Sequence, residues 1–568
     1  MINSPYQKMS NQNLNRRSLL EGLIVSGFFS TSAIAIKSDV QSLQSVTPAA
    51  QAKEVAPEVA APRFSIYEYA VDGNSLLSDL VVENAVSGFM GDEKTLMDVE
   101  AARAALERVY HEAGYMTVVV SIPEQSVDTG AVSLHVVEAT IDRLKVKGAE
   151  YVLPSEIKSR VPELAEGNVP NFNKMQAQLA ALNRSGDSKV TPILRAGRDP
   201  GTVEVQLDVE DQFPLHGSVD VSNRQTPNTT PTRMSASMRY DNLWQLRHSL
   251  GMTVQIAPEK ETDARVLAGT YVMPVGSGGE SLTMYAVNSR SKFASLASMN
   301  GLGMLGNSDT FGTRISLPLG TGVDYSQSFS AGLDYKNIRQ TTIFSSSLQT
   351  NSPITYVPLV ANYTGNLFSQ DRSSALDMTV TSGMRGFFGN TDTNFQNKVG
   401  RSGASASFLA LHTGIQHTEN LEGWTLYGKL DTQFSSGPLV PTEQFAIGGA
   451  ESVRGYLESE RAGDAGYRAT VELRTPQFNL DAPGSAWRVS GLVFFDTATV
   501  MISNQIAPTP NKYRLNGTGF GLRFAAPRSL SVEVDAAHAL TGVDPGLQGN
   551  ANTVRGANRL HARTLWSF

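Results

Sequence analysis

Apolar and polar residues alternate with two different rhythms along this chain, and the rhythm changes near residue 212. In the first rhythm, Val99–Tyr110 sets Ala102, Leu106, Val109 and Tyr110 at helical spacing. Gly114 stops that helix as a C-terminal glycine does. Strands are predicted at Tyr115–Ile122 and Val132–Val137, with Asp128-Thr129-Gly130 turning between them. The order then recurs: a strand at Ile141–Val146, a helix at Asn173–Asn183, and strands near Val190–Leu194 and Val203–Val209. Two α/β modules in tandem, 63–139 and 140–211, are the expected result.

Over 212–568 the helical period is absent and short alternating segments are divided by Gly, Asn, Asp, Ser and Pro. In Tyr467–Arg474, residues Tyr467, Ala469, Val471 and Leu473 share one face, while Arg468, Thr470, Glu472 and Arg474 share the other. Trp487–Asp496 divides in the same way, with Asp496 on the polar side, and in Ser531–Ala536 the polar face carries Glu533 and Asp535. Alternation alone fits a soluble sandwich or, turned inside out, a membrane barrel with a charged lumen. Loop lengths separate the two. Strands are predicted near 216–226, 232–240, 247–257, 263–273, 280–290, 308–317, 327–338, 355–364, 374–384, 404–413, 423–434, 467–474, 487–496, 516–524, 529–537 and 558–568. Connections after even-numbered strands stay short, and most of those after odd-numbered strands are longer, the longest being 435–466. Short turns on one rim and long loops on the other predict an all-β transmembrane barrel of about sixteen antiparallel strands.

Composition narrows the picture. Charged residues make up 18% of the chain, and no stretch beyond the N-terminus approaches the apolar length of a spanning helix, so any membrane crossing must use strands. The net charge of −7 argues against a nucleic-acid partner. Cysteine is absent, which removes thiol chemistry, disulfides and cysteine metal sites. Lys8, Arg16 and Arg17 precede the apolar run Gly22–Phe29, and Ala33-Ile34-Ala35 offers a cleavage site, so 1–35 reads as a signal peptide. Residues 36–62, rich in Ala, Pro, Gln and Ser, read as a flexible linker. At the other end Phe568 follows Trp566 on the same face of the last predicted strand, which resembles the assembly signal of outer-membrane barrels.

Together these parts resemble the transporter component of two-partner secretion, the haemolysin and adhesin secretion-activation proteins of the POTRA-barrel superfamily. The stretch AARAALERVYHEAGYMTVVVSIPEQSVDTGAVSLHVVEA is similar to the first POTRA domain of that family, and MQAQLAALNRSGDSKVTPILRAGRDPGTVEVQLDVED to the second. Ala196-Gly197 stands where Pro-Gly is expected. The sharpest match is EQFAIGGAESVRGYLESE in the longest loop, followed by GLVFFDTATV. The resemblance implies that this loop folds into the barrel with Val453, Arg454, Gly455 and Tyr456 at its tip. It further implies that Arg454 meets Asp496, beside Phe494, on the lumenal wall. Family members can carry an N-terminal plug helix, but the residues before Arg63 lack a helical pattern.

The implied function is an outer-membrane pore, its POTRA domains in the periplasm, which exports, or exports and activates, one partner exoprotein without ATP. Its partners would be that unfolded exoprotein, the surrounding lipid and the barrel-assembly machinery, with no cofactor. A barrel-assembly factor of the same superfamily is the first rival and a passive porin the second. Enzyme readings find little support. His111-Glu112 lacks a second histidine at protease spacing, and His412 and His417 stand five apart across a predicted turn. Gly276-Ser277-Gly278-Gly279 lacks the lysine of a phosphate loop. Gly517, Gly519 and Gly521 alternate on one strand, as barrel bending or close packing requires.

Overall fold

The computed structural model describes residues 62–568 apart from 184–185, 277, 292–306, 323, 346–347, 400, 481–486, 505–509, 528 and 544–552. The expected signal peptide, and all but the last residue of the expected linker, lie outside the described residues. The chain divides into two compact units, one ending at Phe213 and one beginning at Pro214.

The first unit repeats one topology. Strand Glu68–Asp72 runs parallel to Ala131–Val137, which pairs antiparallel with Val119–Ser121. In the second module Thr140–Lys147 runs parallel to Thr202–Asp211, which pairs antiparallel with Ser188–Ala196. Helices Asp79–Val86 and Leu96–Glu112 pack Val82, Val86, Leu106 and Tyr110 against Val120, Leu134 and Val136. In the second module Ile157, Met175, Leu179 and Leu182, on helices Pro154–Ser159 and Phe172–Leu182, cover Ile141, Leu144, Val205 and Leu207. The short helices Asp79–Val86 and Pro154–Ser159 escape a sequence reading because so few turns carry no periodic signal. Gly114 does more than stop a helix. At φ +98 its carbonyl accepts the Phe172 N–H (2.8 Å), and the Asn171 side chain donates to the Ala113 carbonyl (2.9 Å), which docks the modules on each other.

In the second unit, among the described residues, sixteen strands close into an antiparallel ring. They are β1 (Leu215–Ser222), β2 (Arg233–Leu243), β3 (His248–Ile256), β4 (Ala264–Val275), β5 (Glu280–Ser291), β6 (Ser308–Thr321) and β7 (Tyr325–Ser345). Next come β8 (Leu348–Tyr356, continued by Pro358–Phe368), β9 (Arg372–Gly383), β10 (Leu409–Leu421), β11 (Trp424–Ser435) and β12 (Ala465–Arg474, continued by Phe478–Asn479). Strands β13 (Arg488–Met501), β14 (Lys512–Ala525), β15 (Leu530–Ala539) and β16 (Asn558–Ser567) complete the ring, which closes where Arg563–Ser567 pairs with Ser218–Ser222. Closure leaves no open edge, the condition for strands in hydrocarbon, where no water can satisfy a free backbone group.

The faces sort as in a membrane barrel. On β13 the outward Val493 and Phe495 are 56% and 47% exposed, while Phe494 and Asp496 point inward at 4% and 0%. On β12 Val471 and Leu473 face out and Glu472 is buried inside. A soluble protein would not leave an apolar belt of this kind uncovered.

Several expected boundaries move, and two of the shifts matter most. The loop expected between 338 and 355 is largely strand, because β7 and β8 run on as a long hairpin. The strand expected at 404–413 begins instead at Leu409 and continues to Leu421, turning at Glu422 and Gly423, both at positive φ as a tight hairpin turn requires. Ala404, Ala406 and Phe408 alternate like a strand because they are buried in a cluster with Tyr356 and Phe395. His412 and His417 consequently lie within one strand at opposite parity, hence on opposite faces.

Candidate functional site: the loop inside the lumen

Residues 436–464 leave β11 and return to β12. The two limbs pair as short antiparallel strands, Phe445–Ile447 against Arg461–Gly463. Gly448 (φ +101) and Gly449 (φ +108) turn the chain at the head of this ladder, in backbone that side chains avoid. Beyond them the tip is held by apolar contact. Phe445, Ile447, Val453 and Tyr456 pack against Ala498, Val500, Tyr513 and Leu515 of β13 and β14. The buried Tyr456 hydroxyl donates to the Thr541 carbonyl (2.6 Å) and accepts the Thr541 N–H (3.2 Å) and Asn516 N–H (3.3 Å).

Arg454 then turns into the charged wall. Its Nε and Nη2 donate to Asp496 Oδ2 (2.8 Å) and Oδ1 (2.9 Å), and its backbone N–H donates to Oδ2 (3.0 Å). The guanidinium carbon stands 3.4 Å from the centre of the Phe494 ring, so the aromatic face supports the plane of the fork. A two-pronged pair with a third bond on the same carboxylate is the geometry that lets buried opposite charges repay part of their desolvation.

The pair has company that sequence reasoning missed. Arg454 Nη1 also lies 2.7 Å from Glu472 and 3.7 Å from Asp535. Glu472 is shared with Arg474 (2.5 Å), and Asp535 takes both prongs of Arg523 (2.6 and 2.9 Å). Three arginines and three carboxylates thus meet with no formal charge left over. The Gly455 N–H donates to His561 Nε2 on β16 (3.1 Å), which ties the tip to the last strand as well. The inward parity of Glu472 and Asp535 was legible; their convergence on Arg454 was not.

The alternating glycines of β14 explain how the loop comes so close. Gly517 sits opposite Asp496 in register, and a Cβ there would stand 2.0 Å from the Arg454 carbonyl oxygen. A Cβ on Gly519 would meet the Ala536 carbonyl at 2.0 Å and the Phe494 ring at 2.7 Å. The remaining residues singled out in the sequence lie elsewhere. Trp566 and Phe568 stand on the outer face with ring centres 5.0 Å apart, and Phe568 exchanges two backbone hydrogen bonds with Gly217 of β1, both 3.0 Å.

The chain is similar to known proteins over most of its length. The family described as haemolysin secretion/activation protein ShlB/FhaC/HecB matches residues 201–524, and the ShlB-type POTRA domain matches 64–139. The chain belongs to this family. Similar curated relatives include the outer membrane transporter CdiB of Dickeya dadantii (24% identical over 75% of this chain and 74% of the relative). CdiB of Escherichia coli O6:K15:H31 is 23% identical over 76% of this chain and 72% of its own length. Among solved structures, CdiB from Escherichia coli superimposes with a TM-score of 0.62 at 19% identity, covering 91% of this chain and 93% of that one. CdiB from Acinetobacter baumannii gives 0.56 at 15% identity, with 92% and 93% covered. As a family member the protein is an outer-membrane transporter of two-partner secretion, its POTRA domains are periplasmic, and a partner exoprotein is what it transports.

Proposed function

We propose that the protein exports one large exoprotein of the haemolysin or adhesin type, taken up unfolded in the periplasm and passed through the barrel lumen without ATP. The POTRA modules receive the chain by lending a sheet edge to an extended segment. Strands Glu68–Asp72 and Thr140–Lys147 are edges of their sheets among the described residues, whereas Ser188–Ala196 carries Pro192, which cannot donate to an added strand. The loop 436–464 is the resting gate, and its tip must leave Asp496 for a polypeptide to pass. Lipid covers the outer belt, and the assembly machinery reads Phe568. The carboxylates and arginines of the lumen act by binding and release, with no bond-making chemistry.

The observation that carries this reading is the fully paired, buried Arg454 inside the lumen, where a charged cluster beside a small apolar one seats the loop. The test is the culture supernatant. Deleting the gene is expected to remove one large protein from it, and the full chain to restore that protein. A chain lacking 63–211 is expected to insert and export nothing. Normal secretion from the truncated chain refutes the receiving role, and an unchanged supernatant refutes export.

A further inference from the structure

Asp464 is the last residue before β12, and its carboxylate is wholly buried. Its partner is Arg401, which belongs to the connection 384–408 between β9 and β10 and not to the loop that carries Arg454. The pair is two-pronged, with Nη1 donating to Oδ1 (2.7 Å) and Nη2 to Oδ2 (2.6 Å). Arg401 also donates to the carbonyls of Leu439 (3.2 Å) and Ser503 (2.7 Å). Asp464 accepts the N–H groups of Leu439 (2.9 Å) and Ser503 (2.8 Å) and the Gln444 amide (3.0 Å). One ion pair therefore gathers four pieces of chain: Arg401 between β9 and β10, Leu439 and Asp464 on the two limbs of 436–464, and Ser503 just beyond β13. Beside it Phe395 and Phe408 pack with Leu439 and Val440, so the crossing is apolar as well as charged.

All three connections follow odd-numbered strands. They lie on the rim opposite the one at which the chain enters β1 from the periplasmic unit, which is the outer mouth of the barrel. The Arg454 cluster pins the tip of the inward loop against β12, β13 and β15, whereas Arg401 and Asp464 pin its root.

We propose that Arg401 and Asp464 form a second latch at the outer mouth, which holds the segment 384–408 against the root of the inward loop. Releasing the tip alone then leaves the exit covered, and a chain emerges only when both pins have opened. Arg401 is a positioning residue in this scheme and touches no exported chain. The inference rests on the transporter reading above. Removing either partner leaves a buried charge uncompensated, so the latch is the kind of contact whose loss loosens a closed state.

Conductance in planar bilayers reads the latch without any exoprotein. Arg401→Ala and Asp464→Asn are each expected to raise the open-channel probability about tenfold, equal to about 1.4 kcal/mol of lost closure. The double variant should be no worse than either single, because both remove one contact. Arg401→Lys keeps the charge but not the fork and is expected to fall in between. The chain has no native cysteine, so Arg401→Cys with Asp464→Cys can be bridged by a bis-maleimide, which should return the conductance to the parent level. Heat-modifiable migration identifies the folded variants. A folded Arg401→Ala or Arg401→Lys barrel with parent conductance overturns the latch, and so does a bridged barrel that stays open. A chain that exports nothing yet opens on Arg401→Ala overturns the export reading and leaves the latch standing.

Discussion

Replacing Arg454 by Ala tests the lumenal cluster most directly, because the two ends of its pair are not equivalent. Both side chains are buried, 4% and 1% exposed, so the buried-pair range of about 3–5 kcal/mol applies with little screening. In Arg454→Ala, Glu472 keeps Arg474 and Asp535 keeps Arg523, while Asp496 loses its cation and keeps only neutral donors, the backbone N–H of residue 454 and the Thr470 hydroxyl. One carboxylate is stranded. In Asp496→Ala the guanidinium still has Glu472 at 2.7 Å and Asp535 at 3.7 Å, so the loss falls to about 1.5–3 kcal/mol, the range for hydrogen bonds to charged groups. The swap Arg454→Asp with Asp496→Arg is expected not to rescue, because the new carboxylate would stand beside Glu472 and Asp535. Val453 and Tyr456 still hold the tip through their burial, so the expected outcome is a loop that opens more often in a barrel that remains folded. Opening can be read by maleimide labelling of Ser452→Cys, a site 6% exposed in a chain with no native cysteine. With a factor of ten for each 1.4 kcal/mol, Arg454→Ala should speed labelling by roughly two to four orders of magnitude, and Asp496→Ala by clearly less. A rate in folded Arg454→Ala within about threefold of the parent, or equal effects of the two substitutions, would refute the account of the cluster.

Three further outcomes are expected. Gly517→Ala sets a methyl 2.0 Å from the Arg454 carbonyl and should loosen the same loop by about 1–3 kcal/mol, the usual range for overpacking; slow Ser452→Cys labelling in that background would show that the close approach is not required. Deleting Phe568 removes both hydrogen bonds to Gly217 at the seam of the ring and should lower the yield of heat-modifiable barrel, with unchanged yield at every expression level counting against a role in closure. In the first POTRA module the Asp98 carboxylate accepts the Thr95 backbone N–H and hydroxyl, both at 2.8 Å, and is thereby held below the usual aspartate range. A depressed folded value contributes stability above the unfolded value and loses it as pH falls through the folded one, below about 4. The thermal midpoint should therefore fall less steeply with acid in Asp98→Asn than in the parent, and parallel acid profiles would contradict this.

What the sequence determined by itself is what depends on near neighbours along the chain. The parity of Tyr467–Arg474 and Trp487–Asp496 assigned each side chain to a face, because successive strand residues point to opposite sides whatever surrounds them. Gly114 marked a helix end for the same local reason, and the lengths of the connections marked the two rims. The tertiary structure decided everything that depends on what lies across a gap. Closure of the ring put the charged face inside and left the apolar face outside, a choice that alternation alone does not make. Ala404, Ala406 and Phe408 look like strand residues and are not, because a core contributed by distant segments buries the same parity of positions. His412 and His417 seemed to flank a turn, and the register of β10 with its neighbours placed them in one strand. Arg454 carries its family motif on its face, yet its second and third carboxylates come from β12 and β15, and the space for its backbone comes from a glycine on β14. Arg401 and Asp464 carry no motif at all, and their pairing exists only because three loops of the outer rim fold to one point. A buried charge needs partners from wherever the fold can supply them, and that supply is a property of the closed barrel rather than of any stretch of its chain.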